Sequence, residues 1–154
     1  MPLLKKDVDE GRLMIVFKDF IFLGRDSRTL ASAAECVYRK YDTDKFLEYH
    51  MLTYMNQGFK NSGWGSDENI LDFASQLSWL DTTYLKECLL NNTYLPIVID
   101  DTYAGMLAGV SSTPTFVIGD QLVSGALTYS VFKEIMENSK EDLSLLKSDS
   151  ITTG

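Results

Sequence analysis

Few side chains in this 154-residue chain carry reactive groups, and they lie far apart. There are two cysteines, Cys36 and Cys88, and one histidine, His50. No Cys-x-x-Cys spacing occurs, so no helical turn presents two thiols for exchange. One histidine with two scattered thiols does not complete a zinc site, and no metal is expected. Trp64, Trp79 and the many Tyr and Phe residues read as core or groove lining, so no cofactor is expected. The cysteines fit two descriptions: buried free thiols on apolar helical stripes, or one structural disulfide. Nothing places either at a helix N-terminus or beside a base, so redox catalysis by this pair is not expected. His50 lies on an apolar helical face, where a packed histidine is the ordinary case and an acid–base role the alternative. Asp19 and Lys18 follow an apolar run and are assigned no role. Asp100 and Asp101 read as a solvated helix face.

The residues with the most specific pattern are Thr113 and Pro114, inside Gly109-Val-Ser-Ser-Thr-Pro-Thr-Phe-Val-Ile-Gly-Asp-Gln-Leu-Val-Ser-Gly-Ala126. A helix-like segment ends at Gly109. Pro114 precedes the strand formers Thr115 to Ile118, Gly119-Asp120 is a tight turn, and Leu122 and Val123 begin a second strand. Proline cannot donate to a ladder, so it belongs at the mouth of a strand. On pattern alone the bond before it is an ordinary X-Pro bond, of which cis is the minority form. A cis bond would present the backbone of Thr113 to a ligand chain.

Positioning these residues requires a folded domain, and the composition allows one. The chain is 45% apolar and long enough to bury a core. Its formal charge of −8 argues against nucleic acid or an anionic membrane as partner. No apolar run approaches a membrane span, and Met1-Pro-Leu-Leu-Lys-Lys is not a signal peptide.

In chain order, residues 1–6 read as the last turn of a helix and 7–11 as a turn. Arg12 to Phe17 reads as a strand buried on both faces, and 18–24 as an apolar loop. Ser27 caps a helix with the stripe Leu30, Ala33, Ala34, Val37, Tyr38, Tyr41. Thr43 or Asp44 caps a second, with Phe46, Leu47, His50, Met51, Tyr54 and Met55 on one face. Ser66 and Asp81 cap two more, and Pro96 opens a fifth. After the hairpin, Thr128 caps a helix burying Val131, Phe132, Ile135 and Met136. A strand, helices, a hairpin and a helix make an α/β or α+β domain with a helical insertion. Three strands are few for this length.

From Leu3 to about Glu137 the chain resembles the DsbA-like branch of the thioredoxin superfamily. The matching words are Val16-Phe-Lys-Asp-Phe20, Ala33-Ala-Glu-Cys36, Phe46-Leu-Glu-Tyr-His50, Asn56-Gln57, Cys88-Leu89, Gly109-Val-Ser-Ser-Thr-Pro-Thr-Phe116 and Gly125-Ala126. The resemblance implies an α/β thioredoxin-like fold in which 1–24 and 94–138 form the thioredoxin-like part. Residues 25–93 are then the helical insertion and 139–154 a flexible tail. It implies a cis Thr113–Pro114 bond that holds a substrate backbone, and a Cys36–Cys88 disulfide within the insertion. It places His50 within reach of the family's thiols if the insertion covers the site.

The same resemblance implies that the family's central strand and the Cys-x-x-Cys at the head of the following helix are missing. Two explanations stay open: a displaced start or fragment, or a divergent chain that repairs its sheet by intermolecular pairing. The implied function is thiol–disulfide exchange on protein substrates, inactive in the chain as given. The alternatives are a non-catalytic peptide-binding module, or a relative of the glutathione-using isomerase branch. Extended protein or peptide substrates, a redox partner protein and a homodimer through exposed sheet edges are the implied partners. An extracytoplasmic location is implied as well.

Overall fold

The structure, a computed structural model, describes residues 2–149. The elements follow in the order α1 (Pro2–Asp9), α2 (Arg25–Lys40), α3 (Thr43–Met55), α4 (Asp67–Ser75), α5 (Thr82–Leu90), α6 (Leu95–Leu107), β1 (Thr115–Ile118), β2 (Gln121–Ser124) and α7 (Tyr129–Asp149). They form two compact units, one of Met1–Phe17 with Met106–Gly154 and the other of Lys18–Gly105. Among the described residues no helix is long and apolar enough to cross a membrane.

The helical unit is built by capped, amphipathic helices. Asp42, Ser66 and Asp81 each accept a hydrogen bond from the backbone N–H three residues on, which closes the first turns of α3, α4 and α5. Thus Asp42, not Thr43 or Asp44, caps α3, because its extended backbone aims the carboxylate at Lys45 N–H. Helix α2 starts at Arg25, two residues ahead of Ser27, from the left-handed Gly24. A Cβ on Gly24 would lie 2.3 Å from Asn61 Oδ1, so only glycine fits there. Ala33, Ala34, Cys36 and Val37 of α2 pack with Phe46, Tyr49, Ile70, Ala74, Leu85, Cys88 and Leu89 in one core.

Two sequence expectations do not hold, for the inward face of α3 and for residues 12–17. The buried face of α3 is Phe46 and Tyr49, while Met51, Tyr54 and Met55 are exposed. The short spacing from Phe46 to Tyr49 brings Tyr49 inward in place of the later residues. The compact units divide at 17/18 and 105/106, whereas the thioredoxin-like part and the helical insertion are expected to meet at 24/25 and 93/94. The loop after Phe17 is tied to α6: Lys18 Nζ donates to Asp101 at 2.6 Å and Ile21 N–H to Thr102 Oγ1 at 3.0 Å. Finally, residues 12–17 form no strand. A strand needs a hydrogen-bonded neighbour, and among the described residues the sheet consists of β1 and β2 alone.

The other unit carries the hairpin and its helix. β1 and β2 pair antiparallel from Thr115↔Ser124 to Ile118↔Gln121, which leaves Gly119-Asp120 as the turn the sequence predicts. Phe116 meets Phe132 of α7 edge to face at 5.4 Å. Helix α1 reaches Asp9, beyond the single turn expected, and Asp7 on it accepts from Arg12 at 2.7 Å and from Tyr129 at 3.1 Å. Helix α7 continues through Asp149, past the expected fray at Ser139; residues 150–154 of that tail lie outside the described range.

Gly119 is a tight point of the hairpin. Its φ is +62°, and a Cβ would lie 2.9 Å from Ser139 Oγ, which donates to Ile135 C=O at 2.9 Å. Gly119→Ala is expected to cost about 1–2 kcal/mol through strain and displacement of Ser139. Thermal unfolding checks it, and an unchanged midpoint would contradict the geometry.

Candidate functional site

The Thr113–Pro114 bond is cis, as the resemblance implies. The proline stands at the mouth of β1 because it has no N–H to give the ladder. Its carbonyl still takes part, accepting Gly125 N–H at 2.8 Å. Thr115 Oγ1 donates to Ser112 C=O at 2.7 Å and lies 3.2 Å from Ser124 Oγ. These bonds hold the turn Ser112–Thr115 from both sides, while Thr113 and Pro114 themselves remain exposed. An exposed, rigidly held backbone of this kind is suited to an extended ligand chain.

Cys36 and Cys88 are joined as a disulfide that links α2 to α5 across a sequence separation of 52. This is the pair that the resemblance implies, and it forms although no Cys-x-x-Cys stands in the sequence. Both residues are buried, at 1% and 5% exposure. Each sits late in its helix, far from the N-terminus where a thiolate would be favoured. The surroundings are those of a structural bond: Tyr84 OH donates to Cys36 C=O at 3.1 Å, and apolar residues enclose the sulfurs.

His50 is half-buried, with its ring 5.3 Å from Phe46 and 4.8 Å from Tyr54. Burial pushes its pKa below the ordinary histidine value, so the neutral ring is favoured. It belongs to the helical unit, and Thr113 and Pro114 to the other.

The cluster that the sequence reading missed is Asp19, Glu35 and Asp101, whose carboxylate oxygens lie within 4.8 Å of one another. Asp101 is buried, which corrects its assignment to a solvated face. The signal was available: Asp101 follows Val98 by three residues on α6, and Val98 is fully buried. Lys18 supplies the compensating charge through its 2.6 Å bond to Asp101, and Asp19 N–H donates to Asp101 at 3.3 Å. That bond to Asp101 holds the Lys18 pKa up. Burial first, then the Glu35 and Asp101 charges, push the Asp19 carboxyl up to about 7.

This cluster makes stability depend on pH. Between the unfolded-chain value near 3.8 and about 7, folded Asp19 keeps a proton that the unfolded chain has released. Stability from this group therefore falls as pH rises through that window and is level above it. His50 acts in the opposite direction, because its pKa is lowered on folding. The Asp19→Asn variant isolates the carboxylate. A shift of about three units corresponds to at most ~4 kcal/mol, and residual solvent access reduces it. From pH 5 to 7.5 the wild type is expected to lose about 1–2 kcal/mol relative to Asp19→Asn. Urea unfolding at both pH values checks this, and parallel pH profiles would contradict it.

The sequence model of a family described as Thioredoxin matches residues 1–138. Disulfide bond formation protein D of Bacillus subtilis (strain 168) is 27% identical over 137 residues, 88% of this chain and 61% of that protein. The probable disulfide bond formation protein D of Bacillus cereus is 26% identical over 126 residues, 80% of this chain and 58% of that protein. The chain thus spans about three fifths of the length of these relatives. The crystal structure of oxidised BdbD from Bacillus subtilis is similar with a TM-score of 0.77 at 27% identity, covering 90% of this chain and 75% of that one. That of Chlamydia trachomatis DsbA is similar in fold, with a TM-score of 0.73 at 24% identity over 94% of this chain and 76% of that one.

Proposed function

The chain belongs to the thioredoxin family and has its fold, mostly helical with a small sheet, and on that premise we propose that it acts in DsbA-like thiol–disulfide exchange on protein substrates. The observation that carries the proposal is the exposed Thr113–Pro114 turn at the mouth of β1, braced on both sides. In this reading Thr113 and Pro114 hold an extended substrate by its backbone, so that a disulfide of the substrate is presented in a fixed direction. The names of the Bacillus relatives support it.

Exchange proceeds by attack of a thiolate on a disulfide sulfur, which needs an accessible sulfur. Cys36 and Cys88 are enclosed and bonded to each other, so their part is structural. The chain by itself is therefore expected to hold substrate without turning it over.

The partners of this reading are extended polypeptides and a redox protein whose own thiol attacks the held disulfide. A homodimer through the free edge of β2 is a further expectation, which sedimentation at rising concentration tests.

An insulin-reduction assay and a peptide titration followed by NMR test the function. Saturable shifts at Thr113 and Thr115 without turnover are expected, with the shifts lost in Pro114→Ala. Turnover that disappears in Cys36→Ala would overturn the structural assignment of the disulfide. Absence of any shift at Thr113 would overturn substrate holding.

A further inference from the structure

The turn that leads into β1 carries a side-chain relay whose direction follows from its chemistry. Thr115 Oγ1 lies 2.7 Å from Ser112 C=O and 3.2 Å from Ser124 Oγ. A carbonyl only accepts, so the single hydroxyl proton of Thr115 goes to Ser112. Ser124 is then the donor of the second bond. The relay thus starts on β2, where Ser124 is the register partner of Thr115. Its end point sets a backbone direction. Among the described residues only Thr113–Pro114 is cis, so the Ser112–Thr113 peptide is trans and planar. In that plane the N–H points opposite to the C=O. Pinning Ser112 C=O on Thr115 therefore turns Thr113 N–H away from that hydroxyl. On the far side of Pro114, Gly125 N–H holds Pro114 C=O at 2.8 Å. The peptide planes before and after the Thr113–Pro114 bond are thus both tied to β2. Between them, Thr113 N–H and C=O have no hydrogen-bond partner among the described residues, and Thr113 is exposed.

We propose that Thr115 and Ser124 are positioning residues for substrate holding. Their hydroxyl relay sets the plane of the Ser112–Thr113 peptide and so aims Thr113 N–H at the substrate backbone. The inference rests on the reading that Thr113 and Pro114 hold a substrate chain. Neither hydroxyl needs to touch the substrate, because each acts through the backbone of the turn. Serine and threonine side chains in a turn have several local backbone partners to choose from, and the relay selects one of them. Threonine suits the central place in two ways. Its β-branch restricts χ1 and favours the strand, so the hydroxyl is held at the carbonyl with little entropy left to lose. Valine there keeps the shape and loses the relay, whereas serine keeps the hydroxyl and loses the restraint. Ser124→Ala removes the far donor and leaves the bond to Ser112 in place.

The test is NMR titration of the whole chain with the S-methylated B chain of insulin, an extended polypeptide whose blocked sulfurs cannot exchange. Thr115→Val is expected to weaken binding about fivefold to tenfold, Ser124→Ala about twofold to threefold, and Thr115→Ser to stay within about twofold of wild type. A second readout, which lost stability alone would not move, is the residual dipolar coupling of Thr113 N–H without the probe. It should change in Thr115→Val and return in Thr115→Ser, while the couplings of Phe116 and Val123 in the ladder stay as they are. Equal binding by wild type and Thr115→Val, or an unchanged Thr113 coupling, would overturn the relay and leave substrate holding standing. Equal losses in Thr115→Val and Thr115→Ser would put the effect in packing and overturn it as well. If Thr115→Val fails to fold, Ser124→Ala, at an exposed position, decides: unchanged affinity and coupling there would overturn the relay. A wild type that binds no probe would overturn substrate holding itself, and the relay with it.

Discussion

Replacing both cysteines, Cys36→Ala with Cys88→Ala, is expected to lower the stability of the helical unit by about 4 kcal/mol. The bond closes a loop across 52 residues, and in the chain-entropy view that closure is removed from the unfolded ensemble. Either single substitution should lose nearly as much as the pair, since the bond needs both sulfurs. Reduction of the wild type in denaturant should reproduce the loss. Trp64 and Trp79 both lie in this unit and report its unfolding by fluorescence. A loss below about 1 kcal/mol would mean that the unfolded chain is already compact around these helices.

Leu85→Ala is expected to cost about 3 kcal/mol, and Leu90→Ala under about 0.5 kcal/mol. Both are leucines of α5, so helix propensity is the same and burial alone separates them. Leu85 is 0% exposed within the core of α2, α3, α4 and α5, whereas Leu90 is 63% exposed. Deleting three carbons at Leu85 removes apolar contact and leaves a cavity that fixed neighbours cannot fill. Urea midpoints of the two variants decide the matter, and equal midpoints would refute the packing described here. Leu85 and Cys88 share a cluster, so the two costs are not expected to add.

Local rules carried much of the fold in the sequence. Ser66 and Asp81 cap their helices because a short acceptor precedes an apolar period, and Gly119-Asp120 turns the hairpin because glycine takes the positive φ. The cis bond was legible only through resemblance, since no local rule distinguishes Thr113–Pro114 from a trans bond. What failed was non-local. Arg12 to Phe17 has the composition of a buried strand, but pairing depends on a neighbour that composition does not name. Tyr49 displaced Met51, Tyr54 and Met55 from the core because the α2 helix, not the period of α3, selects the inward face. Asp101 looked solvated because its partners, Lys18 and Asp19, lie more than eighty positions away in the chain.

That last contact has a topological consequence. The ion pair of Lys18 with Asp101 and the bond from Ile21 to Thr102 tie the start of the helical unit to its end. A segment whose two termini meet behaves as a removable cassette. Residues 18–105 are expected to fold as an excised domain, or with their ends fused by a short linker and new termini opened in the exposed loop near Lys60, the disulfide and the carboxylate cluster left intact. Such a permutant would retain the core while exchanging the order in which its helices leave the ribosome.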